Sequence, residues 1–171
     1  PERLMKMSNA PPLKSKELLE YVSKPGNERL LIELVTMSVH KAIGTVCRGV
    51  DLSPSLFSST LLMALIKRNS CSNEAVVLSV GDGFAVAGFA DQSVAVVSPG
   101  ENISGCKNRT YFVTAADAIE HVHIYRVKGF QQLLLSTDGL TKTLNINNED
   151  CLKRFLLSLK NIKAVNSQGF K

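Results

Sequence analysis

Two short apolar runs end in the same way, and that shared ending constrains the fold more than any other feature of the chain. Val77-Leu-Ser-Val-Gly-Asp-Gly83 and Leu133-Leu-Leu-Ser-Thr-Asp-Gly139 each carry strand-forming residues into an Asp-Gly pair. A carboxylate in that position sits at the rim of a rigid sheet, and the glycine lets the backbone turn or approach a ligand closely. Two such rims brought together make an oxygen-rich site suited to Mg²⁺ or Mn²⁺. Taken singly, each Asp-Gly is also an ordinary turn sequence, so the flanking residues have to decide.

The flanks read as a layered α+β protein. Pro1 to Lys14 lacks apolar periodicity and reads as a tail or linker. A short helix is expected from Ser15 to Val22, before Pro25 and Gly26 break the chain. A longer helix follows from Asn27, with Leu31, Val35, Val39, Ala42, Ile43 and Val46 on one stripe that packs on a sheet or another helix. After Pro54 come short β-rich runs: Ser59 to Ile66, Ala75 to Val80, Phe84 to Phe89 and Ser93 to Val97. Their tight turns predict an antiparallel meander. His121 to Val127 and Phe130 to Thr137, separated by Lys128-Gly129, predict a hairpin. Leu152, Phe155, Leu156, Leu159 and Ile162 then form the apolar stripe of a basic amphipathic helix, with Asp150 expected as its N-cap.

Composition excludes several classes. With 171 residues, 44% of them hydrophobic and 20% charged, the chain can bury a core as one domain and is not disordered. A formal charge of +5, from 20 Lys and Arg against 15 acidic residues, suits phosphorylated or acidic partners. No aromatic-basic array accompanies it, so nucleic-acid binding is not expected. No membrane association is expected either, the best apolar run being Leu61 to Ile66. Cys47, Cys71, Cys106 and Cys151 form no CxxC pair and lie at no zinc-ligand spacing, which points to a reducing, cytoplasmic compartment. The sequons Asn102-Ile-Ser104 and Asn108-Arg-Thr110 are therefore read as coincidental.

In order and in content, Ser59 to Leu144 resembles the metal-dependent Ser/Thr protein phosphatases of the PP2C family, above all their bacterial branch. Ser59-Thr-Leu-Leu-Met-Ala-Leu-Ile66 is similar to the family's S-T-x-x-x-x-x-I strand. Val80-Gly-Asp-Gly83 resembles its V-G-D element, Asn108-Arg-Thr-Tyr-Phe-Val-Thr114 its N-E-T-x-F-L-T stretch, and Leu133 to Leu140 its L-L-L-x-S/T-D-G-L. The resemblance implies a β-sandwich flanked by helices, an α-β-β-α layered domain of which Ser15 to Lys171 would be the C-terminal portion. It implies Mg²⁺- or Mn²⁺-dependent hydrolysis of phosphoserine and phosphothreonine in protein substrates by metal-activated water. Carried over by motif, Asp138 is a ligand of the core metal pair, and Asp82 a more peripheral ligand that holds a further metal jointly with Asp138. Gly81, Gly83 and Gly139 support these loops. Ser59, Thr60, Asn108 and Thr110 are expected to serve strand packing and loop hydrogen bonds only.

The sequence also departs from the family. Its usual opening strands carry an Ala-Asp-Gly and a phosphate-contacting Arg, and neither is found before Ser59; its closing Asp-Asn or Asp-Asp pair is absent too. Two carboxylates alone bind Mg²⁺ weakly. These departures leave two alternatives open: a partial domain, with a second chain or segment supplying the N-terminal strands, or a catalytically inactive pseudophosphatase that binds proteins. His40, His121 and His123 are read as surface or packing residues, with His121 and His123 on one face of a strand. Ser136 has no partnered base, which argues against nucleophilic catalysis.

Overall fold

The computed structural model describes residues 20–21, 24, 27–68, 72–101 and 110–161. The expected tail, nearly all of the first helix, Asn108, Cys71, Cys106 and Ile162 lie outside them. The elements are helix α1 (Glu28–Val50), strands β1 (Leu61–Arg68), β2 (Asn73–Val80), β3 (Phe84–Phe89), β4 (Val94–Ser98), β5 (His123–Lys128) and β6 (Phe130–Ser136), and helix α2 (Glu149–Asn161).

The strands form two three-stranded antiparallel sheets, ordered β1-β2-β5 and β4-β3-β6. Both central strands are buried over most of their length, Ala75 to Val80 on β2 and Phe84 to Gly88 on β3, because each is covered on two faces. On β2, Val76 and Leu78 pack with Leu31 and Val35 of α1. Ala75, on the opposite face, joins Ala87 and Phe130 in a cluster between the sheets. On β3, Phe84 and Val86 pack with Leu152 and Leu156 of α2. The layers therefore run helix, sheet, sheet, helix, the arrangement that the sequence implied.

Two expectations about connectivity are corrected. The run from β1 to β4 is not one meander, because β2 and β3 lie in different sheets. The chain changes sheet at Gly81–Gly83. Nor do β5 and β6 form a hairpin: β5 pairs with β2, and β6 with β3. The turn between them is a corner, with Gly129 at φ +75° and its N–H donated to the Asn73 carbonyl at 2.8 Å. Asn73 Nδ2 in turn donates to the Phe130 carbonyl at 2.9 Å, so the first residue of β2 holds both sides of the corner.

The helices also refine the reading. On α1, Leu31 and Cys47 are buried and Val35, Val39 and Ile43 half-buried, but Ala42 is exposed and Val46 is 52% exposed. The covered stripe follows the i, i+4 row to Cys47, and Val46 falls off its edge. Arg29–Val50 is, by length and composition, long and apolar enough to cross a bilayer, with 17% of its most apolar window buried. Glu33 and Lys41 interrupt its apolar residues, so the sequence shows no long unbroken apolar run there. The helix ends at Asp51, whose left-handed backbone (φ 53°) suits a short polar side chain.

Asp150 does not cap α2 but lies in its first turn. The cap is Asn148, whose Oδ1 accepts the Cys151 N–H at 3.0 Å. Asn148→Ala is expected to cost about 1 kcal/mol, read as a fall of about 2–4 °C in the thermal midpoint. In the β3–β4 turn, Ser93 donates both its hydroxyl and its N–H to Asp91 Oδ1, which holds that carboxyl below its ordinary pKa.

Candidate metal-binding rim

Asp82 and Asp138 are placed by the ladder between β3 and β6. Its last pair is Phe84 with Ser136. Each aspartate lies two residues beyond that pair and outside the strands, Asp82 in the turn before β3 and Asp138 in the turn after β6, so both lie toward the same end of that sheet. The backbones stay close beyond the last pair: a Cβ on Gly83 would come within 3.4 Å of the Ser136 carbonyl oxygen. Both aspartates are half-buried. Asp82 sits in the sheet-changing turn, and Asp138 opens a short 3₁₀ turn, Asp138–Lys142, after the extended Thr137.

The Asp82 turn is tightly packed. Gly81 has φ +97°, and a Cβ there would meet Thr60 Cγ2 at 2.5 Å and the Tyr111 carbonyl oxygen at 2.8 Å. This gives the Ser59-Thr60 motif a physical meaning, since the Thr60 methyl closes over the turn. The Ser59 carbonyl accepts the Val113 N–H at 2.9 Å, and Thr110 Oγ1 donates to the Glu101 carbonyl at 2.8 Å. These are the packing and loop hydrogen bonds expected of Ser59, Thr60 and Thr110. Gly139 differs from Gly81, because a Cβ on it would meet only Thr137 Oγ1, at 3.7 Å.

The histidines are not a strand pair. His121 ends a 3₁₀ turn and stacks on Tyr111 with ring centroids 3.5 Å apart. His123 opens β5 and donates from Nε2 to Glu101 Oε2 at 2.7 Å. His40 Nε2 hydrogen-bonds the Val113 carbonyl at 2.8 Å. The Glu101–His123 contact had no signal in the sequence, since 22 residues separate the partners and Glu101 lies in a loop.

The protein phosphatase 2C family matches residues 6–168. The chain belongs to the protein phosphatase 2C family. No curated protein and no solved structure matches it. Membership accounts for the two sheets between two helices, and it marks the chain as a phosphatase-type hydrolase by descent. Within that family fold, the candidate donors at this end of the sheet are the carboxylates of Asp82 and Asp138. No group of three or more His, Cys, Asp or Glu side chains suited to a metal ion occurs among the described residues. Two acidic oxygens fit a Mg²⁺ or Mn²⁺ ion that keeps much of its water, because Mg²⁺ is commonly held by one or two carboxylates plus substrate phosphate.

Proposed function

We propose that this is a divalent-metal-dependent phosphatase domain acting on phosphoserine and phosphothreonine in proteins. The observation that supports the reading is the family match, together with Asp82 and Asp138 each lying two residues beyond the last β3–β6 pair at the same end of that ladder. In this reading both carboxylates hold Mg²⁺ or Mn²⁺, and Gly81 and Gly83 let the Asp82 backbone lie close against its neighbours. When bound, such an ion supplies an acidic water and a clamp for phosphoryl oxygens. The protein's own part is to hold the carboxylates in turns next to the ends of two hydrogen-bonded strands, which limits their movement. Further ligands and the N-terminal strands would be supplied by a second chain or segment. The free thiols of Cys47 and Cys151 support a cytoplasmic setting.

The test is hydrolysis of a phosphoserine peptide and of an aryl phosphomonoester, with Mn²⁺ or Mg²⁺ and then with chelator. Metal-dependent release of phosphate from both is expected. Release that chelator does not alter contradicts metal dependence.

A second reading, a catalytically inactive pseudophosphatase that binds proteins, is motivated by the lack of an Ala-Asp-Gly before Ser59 and of a closing Asp-Asn or Asp-Asp pair in the sequence. It predicts no divalent binding at Asp82 and Asp138.

A further inference from the structure

The turn that carries Asp82 is held from outside its own strands. Glu101 donates its N–H to the Gly81 carbonyl at 2.7 Å. One residue earlier, Gly100 has φ +75°, and a Cβ on it would fall 2.7 Å from the Asp82 carbonyl oxygen. The 100–101 segment therefore lies directly on the Asp82 peptide, and a shift in one moves the other. The Glu101 side chain fixes that segment through its 2.7 Å contact with His123. His123 lies opposite Ser79 in the β2–β5 ladder, so the tie runs back to the sheet whose central strand ends at the Asp82 turn.

We propose that Glu101 and His123 are a positioning pair that sets the Asp82 turn for the cation. The proposal rests on the metal-site reading and extends it to two residues that need not touch the ion. Their exposure decides between positioning and bulk stability. The His123 and Glu101 side chains are 43% and 35% exposed, and pairs in such surroundings add little to global stability. A charge-assisted hydrogen bond of this length can still restrain local opening of the segment it anchors.

The experiment measures amide hydrogen exchange and Mn²⁺ titration on the purified chain. His123→Ala is expected to speed exchange of the Glu101 amide by about fivefold, with Val77 exchange and the thermal midpoint as in the parent. Glu101→Ala should give the same local loosening of the 81–83 turn, reached from the other partner. His123→Gln, whose amide nitrogen can replace Nε2, should restore parental behaviour. Mn²⁺ affinity should fall by a similar factor, about fivefold, in both alanine variants and recover in His123→Gln. Unchanged Glu101 exchange in His123→Ala overturns the pair, and so does a rise shared equally by Val77, which would mark a role in global stability. Where the parent binds Mn²⁺, equal affinity in the alanine variants also overturns it. If the parent binds no Mn²⁺ while the exchange changes appear as expected, the restraint on the Asp82 turn is supported and the metal-site reading alone fails.

Discussion

Gly81→Ala is expected to lower folding stability by about 3 kcal/mol, from a left-handed backbone and a backbone collision together. The φ of +97° disfavours any residue with a Cβ, and the new methyl would lie 2.8 Å from the Tyr111 carbonyl oxygen. The 2.5 Å approach to Thr60 Cγ2 can be relieved by moving a side chain, whereas the carbonyl belongs to a segment held by the Val113 to Ser59 hydrogen bond. In a chain of this length the thermal midpoint should fall by about 6–12 °C. Gly139→Ala is the control. Its Cβ would find only a 3.7 Å contact, and its effect should stay within about 0.5 kcal/mol, as for ordinary surface changes. Circular dichroism melts of both variants check the pair. Equal midpoints would contradict the strained geometry of the Asp82 turn.

Asp138→Asn is expected to reduce Mn²⁺-dependent phosphomonoester hydrolysis by at least about 100-fold, or about 2.7 kcal/mol in the barrier. Asparagine keeps the shape of the side chain, and the 3₁₀ turn that it opens should form as before. What it removes is the negative charge, and with it one of the two acidic donors at the rim. With so few donors, each accounts for a large share of the cation's affinity. Initial rates across a Mn²⁺ series, with a melt to show unchanged stability, check this. A parental rate at saturating Mn²⁺ would remove Asp138 from the site.

The Asp-Gly endings and their order along the chain were legible because they are local: a β-rich run and its turn residue occupy adjacent positions. The pairing of strands was less so. Lys128-Gly129 looks the same whether its flanking strands pair with each other or pass to different sheets, and the partner that settles this, Asn73, is distant in sequence. The same holds at Gly81–Gly83, where a tight turn was read as a meander step and is a change of sheet. On α1, periodicity found the buried stripe but assigned Ala42 and Val46 to it, and both lie off the i, i+4 row that runs from Leu31 to Cys47. At the rim, the motifs named Asp82 and Asp138 without showing that both follow from the same end of the β3–β6 ladder. Glu101 and His123 were beyond reach, since nothing near either residue announces the other.

The most direct measurement is calorimetric Mn²⁺ titration of the parent chain, Asp82→Asn, Asp138→Asn and the double variant. Two carboxylates sharing one cation predict a single site in the parent, weakened at least about tenfold by either change. The double variant should then be little worse than the poorer single, because coupled sites are not additive. Equal Mn²⁺ affinity in the parent and the double variant would contradict the account.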